Sequence, residues 1–234
     1  MKIQVRGILF DMDGVLISSL GSVERSWTKW GEMRGIDGAT VIHAAHGQRA
    51  IETIRKLRPD LNDLDELNLI EELEVADMEG LQVLDGVEEL LRLLPQKYWT
   101  IVTSATNRLT RARLDHAEIA VPERIITADL VEHGKPHPEP YLRGAALLGV
   151  APEDCLVIED SASGARAGHA AGCKVLTTLF SHTAEELLVA DWIVASLTDV
   201  DFRVTGDGVE LEFEPLAREV AVAAAAPGEV RHSD

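Results

Sequence analysis

Ile8-Leu9-Phe10-Asp11-Met12-Asp13-Gly14-Val15 is a short apolar run that ends in two acids one residue apart and then a glycine. A continuous apolar run of this length reads as a buried parallel strand. Side chains alternate along a strand, so Asp11 and Asp13 start out on the same side while Met12 turns away into packing. Gly14 lets the chain break sharply there without a Cβ penalty. Two carboxylates and a free carbonyl at a strand's carboxyl end make a seat for a hard cation such as Mg²⁺. The same residues also make an ordinary strand stop, because Asp and Gly are common in turns. The rest of the chain decides between the two.

Three later segments repeat the form, an apolar strand followed at once by polar residues. Thr100–Thr103 runs into Ser104-Ala105-Thr106-Asn107, and Cys155–Ile158 runs into Glu159-Asp160-Ser161. Between them, Arg124–Thr127 precedes a loop carrying Gly134-Lys135-Pro136-His137-Pro138. Helical patterns separate these strands, which is the signature of a doubly wound, Rossmann-like parallel α/β sheet. In such sheets ligands collect outside the carboxyl ends of the strands, near the switch point in strand order. The polar segments are therefore expected to converge on one edge, which favours an active site at the acid pair.

Asp-x-Asp-Gly-Val, a Ser closing a strand, Gly-Lys-Pro-His-Pro-Glu-Pro and Glu-Asp-Ser-x-x-Gly together resemble the motif set of haloacid dehalogenase (HAD)-like phosphohydrolases. The likeness is nearer to the branch with glycerol-3-phosphatases, 2-deoxyglucose-6-phosphatases and β-phosphoglucomutase, and covers roughly residues 1–215. Val41-Ile42-His43, His46-Gly47-Gln48-Arg49 and Ile126-Thr127-Ala128 resemble the glycerol-phosphatase pattern in particular. Where those relatives have a bulky aromatic between Gly47 and Arg49, this chain has Gln48, which admits a larger or more polar polyol.

Composition fits an enzyme with one inserted subdomain, since 234 residues can bury a large core. The net charge of −18 argues against nucleic-acid or anionic-membrane partners, which need basic patches. A phosphate ester must then be drawn in by a local positive site, for which Mg²⁺, Lys135 and Arg49 are the candidates. Cys155 and Cys173 have no metal or disulfide spacing and read as buried thiols in a reducing cytoplasm. No export signal or spanning segment is visible, so the expected location is cytoplasmic, and the expected state a monomer or weak dimer.

Residues 17–84 read as helix only and are expected to form a helical cap domain, hinged near Ile17–Leu20 and Val83–Gly86. In it, Leu64, Leu67, Ile70 and Leu73 form an apolar stripe with acids on the opposite face. Residues 1–16 and 85–215 make the α/β core, with further strands at Lys174–Leu179 and Trp192–Val194 and a closing hairpin through Gly206-Asp207-Gly208. Residues 216–234 read as a tail, a frayed helix or disordered.

The resemblance implies a role for each motif residue. Asp11 is the expected nucleophile, forming an aspartyl-phosphate, and also a metal ligand. Asp13 is the expected general acid–base, with its carbonyl on the metal. Asp160 is the next metal ligand, with Glu159 direct or through water; the alternative for Asp160 is a helix N-cap. Ser104 is expected to hold a phosphate oxygen with the Ala105 amide and Asn107, and it too has the N-cap alternative. Lys135 is a point charge aimed at phosphate, and His137 a structural hydrogen-bonder. In the cap, His46, Gly47 and Arg49 are the specificity candidates, against an ordinary helix start with a solvated Arg49. A His43/His46 zinc pair has the right spacing and no third ligand nearby. A mutase would keep every core motif and change only the phosphoryl acceptor. A dehalogenase would have no use for Asp13, and a non-catalytic binding protein would be expected to have lost a motif.

Overall fold

The computed structural model describes residues 1–45 and 47–216. Strand β2 (Gly7–Phe10) is buried along its whole length and lies inside a five-stranded parallel sheet. Its neighbours are β5 (Trp99–Ile101) and β6 (Cys155–Glu159), followed outward by β7 (Lys174–Thr178) and β8 (Trp192–Val194), in the order β5-β2-β6-β7-β8. Ile8 and Phe10 enter one apolar cluster with Leu156 and Ile158. Leu9 enters a second with Val157 and Tyr141. That alternation explains why β2 carries no polar residue: both its faces are covered.

Helices α5 (Val87–Leu93) and α6 (Asn107–His116) place Leu90 and Leu114 against the first face. Helices α7 (Glu139–Leu148) and α8 (Ala162–Ala170) place Ala145 and Ala165 against the second. The register sets Phe10 opposite Ile101 and Ile158, so the residues that follow all three strands leave the sheet at one edge. Strand order reverses direction at β2, where the chain first moves out to β5 and later returns to β6 on the other side.

Four details differ from the expectations. The apolar start contains two strands: β1 (Lys2–Val5) leaves the central sheet and pairs with β10 (Val209–Phe213), which pairs in turn with β9 (Val200–Val204). The expected hairpin is therefore the outer part of a three-stranded antiparallel sheet. Arg124–Thr127 contributes only a single bridge, Ile126 to Val102. Leu64, at the head of the predicted apolar stripe, is exposed. The acids expected on the solvated face of that helix include Glu66, Glu71 and Glu74, which are all buried.

Between β3 (Ile17–Ser18) and β4 (Gln82–Val83) lie four helices: α1 (Leu20–Arg34), α2 (Gly38–Ala45), α3 (Ala50–Leu57) and α4 (Asp63–Ala76). They share their own apolar cluster, with Trp27, Trp30, Val41, Ile54 and Ile70 at its centre. Strands β3 and β4 pair antiparallel, Ile17 with Val83, so the chain leaves and re-enters through one narrow ribbon. Both cysteines are free and buried, and burial pushes each thiol up to about 12. Among the described residues no helix is long and apolar enough to cross a membrane. The expected tail lies, beyond Leu216, outside the described residues.

Candidate active site

A cavity of about 410 Å³ opens at the carboxyl edge of the central sheet, between the strand ends and the four-helix insertion. Asp11, the residue after β2, anchors its amide on the Ile158 carbonyl at 2.9 Å, which fixes its side chain beside the end of β6. The Lys135 ammonium reaches it from the loop before α7. It donates to Asp11 Oδ1 at 2.8 Å, to Glu159 Oε1 at 2.7 Å and to the Val102 carbonyl at 3.1 Å. Lys135 is only 2 % exposed. Burial alone would lower its pKa, but the Asp11 and Glu159 charges hold it above the ordinary lysine range.

Glu159 is fully engaged. Oε1 also accepts from the Tyr141 hydroxyl at 2.7 Å. Oε2 accepts from the Asp160 amide at 3.1 Å, the Ser161 amide at 3.0 Å and the Ser161 hydroxyl at 2.9 Å. Burial works against its charge, yet Lys135 and these donors keep its carboxyl below the usual range. Gly164 is required here by space: a Cβ on it would lie 1.6 Å from Glu159 Oε1.

Asp11, Glu159 and Asp160 each offer an oxygen within 4.8 Å of the others, and all three are buried. Their three negative charges face one buried cation, Lys135. The mismatch shows in the protonation equilibria. Burial, opposed by Lys135 and reinforced by Glu159, pushes Asp11 up to about 7. Burial and the charges of Glu159 and Asp11 push Asp160 well above the carboxylate range. Hard oxygen donors carrying excess negative charge fit a divalent cation. With both Glu159 oxygens committed, Asp11 and Asp160 are the carboxylates left to hold one directly. Gly14, at φ 79°, is packed against this seat, and a Cβ there would lie 1.9 Å from Asp160 Oδ2.

Both N-cap alternatives fall to neighbouring residues. Thr106, not Ser104, caps α6 by accepting from the Leu109 amide. Ser161, not Asp160, caps α8 by accepting from the Gly164 amide. Ser104 Oγ is left buried with no hydrogen-bond partner among the described residues, on the cavity wall. An unpartnered buried hydroxyl is costly unless something binds it.

Other expected contacts do not form as read. The Ala105 amide is already bonded to the Thr103 hydroxyl at 3.1 Å. Asn107 does not line the cavity; its amide carbonyl accepts from Arg111 at 3.0 Å. Arg49 reaches the cavity wall, but its guanidinium is neither solvated nor free for a ligand. It is committed to Glu52 and to the carbonyls of Val131 at 2.9 Å and Glu132 at 2.8 Å, tying α3 to the loop that leads to Lys135. Gly47 sits over Ser161 on the cavity wall. His46 lies outside the described residues. His137 Nδ1 accepts from the Glu139 amide at 3.2 Å, a structural bond as expected.

Asp13 brings in residues that the sequence reading missed. Its carboxylate accepts from the Ser19 hydroxyl at 2.5 Å and from Arg113 Nη1, which is 3.0 Å from each oxygen. Arg113 Nη2 donates to Glu74 of α4 at 3.1 Å. Nearby, Glu71 of α4 accepts from the Thr106 hydroxyl and from Arg108 at 2.7 Å. A cation three residues from the end of α6 resembles any solvated lysine or arginine, so only the fold exposes this seam.

Residues 5–172 match the model of the haloacid dehalogenase-like hydrolases. Hexitol phosphatase A of Escherichia coli (strain K12) is 37 % identical over 83 % of this chain and 93 % of that protein. Glycerol-1-phosphate phosphohydrolase 1 of Saccharomyces cerevisiae is 32 % identical over 92 % of each. A crystal structure of β-phosphoglucomutase from Clostridium difficile superposes with a TM-score of 0.71, covering 82 % of this chain and 91 % of that one, at 23 % identity. That last likeness concerns the fold.

Proposed function

The chain belongs to the haloacid dehalogenase-like hydrolases, and we propose that it is a Mg²⁺-dependent phosphatase of small phosphorylated polyols or sugars, working through an aspartyl-phosphate. The observation that carries this reading is the floor of the cavity. There Asp11, Lys135 and Asp160 converge beside the unpartnered Ser104 hydroxyl, with Asp13 facing them. Relatives named for hexitol and glycerol phosphates support the substrate class.

In this reading Asp11 attacks phosphorus and is held ready by Lys135. Asp13 protonates the leaving oxygen, then takes a proton from the water that hydrolyses the aspartyl ester. Ser104 and Lys135 bind phosphate oxygens. Asp11, Asp160 and the Asp13 carbonyl would hold Mg²⁺, which when bound would supply charge neutralisation for the phosphate. Glu159 orients Lys135 and carries Asp160 through its bond to that residue's amide. Residues 17–84 act as a cap on the core formed by 1–16 and 85–215, excluding bulk water when seated. Two buried free thiols suit a reducing cytoplasm.

The mutase alternative needs a second phosphate held on the cap side. Among the described residues lining the cavity, each lysine or arginine already has an acidic partner: Lys135 on Asp11, Arg113 on Asp13 and Arg49 on Glu52. That favours a neutral polyol end over a bisphosphate. The test is phosphate release from a panel of hexitol, glycerol, sugar and 2-deoxysugar phosphates, with Mg²⁺ and with chelator. Turnover is expected with Mg²⁺ only and is expected to fall about 10³-fold or more in Asp11→Asn with the fold kept. Normal turnover in that variant would sink the nucleophile assignment. Conversion of β-glucose 1-phosphate without phosphate release would favour the mutase.

A further inference from the structure

We propose that Arg113 is a positioning residue that aims Asp13 into the cavity, and that Glu74 of α4 fixes Arg113 in turn, so the acid–base group is set only while α4 is seated on α6. The inference rests on the reading of Asp13 as general acid–base.

The geometry is specific. The Arg113 side chain is 3 % exposed and lies between two acids from different parts of the chain. One nitrogen sits astride both Asp13 oxygens at 3.0 Å, and another binds Glu74 at 3.1 Å. A buried arginine needs a partner, and Glu74, itself buried, would satisfy that need alone. The second grip falls on the cavity-facing carboxylate that the mechanism uses. Ser19 adds a third contact on Asp13, and it directly follows β3, the strand through which the chain enters the four-helix insertion. Asp13 is thus held by the core helix α6 and by the linker, and Arg113 by the insertion. If the insertion swings away on its ribbon, Glu74 and Ser19 leave together, and the carboxylate loses its orientation.

Arg113 exchanges no proton in this scheme. Asp13 gives its proton to the leaving oxygen as the P–O bond breaks, and regains one from water as water attacks the phosphorus on Asp11. Arg113 decides only where that carboxyl points. In the first step, orientation matters in proportion to how much the leaving group needs protonation; in the second, it matters alike for every ester. An alkoxide leaving from a polyol phosphate needs it, and nitrophenolate leaving from p-nitrophenyl phosphate does not.

The experiment compares kcat/KM, which reports formation of the aspartyl-phosphate and not its hydrolysis, on a hexitol phosphate and on p-nitrophenyl phosphate, with Mg²⁺, for the full chain and for Arg113→Gln, Arg113→Lys and Glu74→Gln. Arg113→Gln is expected to lose about 30- to 100-fold on the alkyl ester and less than about 3-fold on the aryl ester, within the usual range for general acid catalysis. Arg113→Lys keeps the charge without the two-armed reach and is expected to recover part of the loss. Glu74→Gln is expected to show the same selectivity at about 3- to 10-fold. Thermal melting checks folding, and if Arg113→Gln does not fold, the other two variants carry the comparison. Equal losses on the two esters, or no loss on the alkyl ester, would overturn the inference alone. No release from either ester by the unmodified protein would overturn the phosphatase reading, and this inference with it.

Discussion

The floor of the cavity and the seam between α4 and α6 are both built from charged side chains, yet they are put together differently. On the floor, three carboxylates and one lysine project from the ends of parallel strands and the loop before α7. Their number does not balance. At the seam, Glu74 meets Arg113 and Glu71 meets Arg108, so acids and cations pair between two helices. On the proposed function the imbalance is the place for a cation and a phosphate, and the balance is what lets two pieces of chain rest on each other. A buried charge without its partner is a statement about ligands; a buried charge with one is a statement about assembly.

The largest way to break this contrast is to remove the floor's one cation. Lys135→Met leaves Asp11 and Glu159 buried without a counter-charge, and a loss of about 3–5 kcal/mol in unfolding free energy is expected without metal. Urea titration measures it. A loss under about 1 kcal/mol would mean that the carboxylates are already protonated or solvated, and the imbalance would not be real.

A second experiment acts on the same imbalance by pH. Asp11 moves from 3.8 to about 7 on folding, and Asp160 also moves up. A carboxyl whose pKa is raised on folding binds its proton more tightly in the folded state. These two groups therefore withdraw stability as pH rises from about 4 toward 7. Glu159 is lowered and acts in the opposite direction. A divalent cation competes with the protons on Asp11 and Asp160. The gain in Tm on adding Mg²⁺ to chelator-treated protein is therefore expected to be larger at pH 7.5 than at pH 5, equivalent to about 2.7 kcal/mol at a hundredfold excess over Kd. The same gain in Asp160→Asn would remove that residue from the metal seat.

How far each region can be read from sequence follows from how it is built. The floor was legible because strand periodicity places Asp11, Ser104 and Glu159-Asp160 within one or a few residues of strand ends, and parallel register then aligns those ends without further information. Where the reading slipped on the floor, it slipped at backbone groups: the Ala105 amide turned out to be held by its own neighbour Thr103. The seam was not legible. Glu71 and Glu74 look like the solvated face of an amphipathic helix, because an acid's burial depends on a partner that the local sequence does not contain. Glu74 and Arg113 stand 39 residues apart and Arg113 and Asp13 stand 100 apart. The ties of Arg49 are hidden for the same reason, since beside the nearby Glu52 its acceptors are backbone carbonyls of a distant loop. The pairing of β1 with β10 went unseen because a single residue, Arg6, separates two strands that enter different sheets.

The smallest effect sharpens the comparison within the seam itself. Arg108 binds Glu71 at 2.7 Å, as short as any pair on the floor, but its side chain is 55 % exposed, while that of Arg113 is 3 % exposed. Water competes for the exposed guanidinium and salt screens it, so a short distance there is worth little. Glu71 also keeps the Thr106 hydroxyl when Arg108 is removed and is not left unpaired. Arg108→Ala is therefore expected to cost no more than about 1 kcal/mol in urea unfolding at low salt and less at high salt. A salt-insensitive loss as large as that measured for Glu74→Gln in the same urea titration would show that burial does not grade the seam. The α4–α6 contact would then act as one unit, in which the outer pair holds the inner one in place.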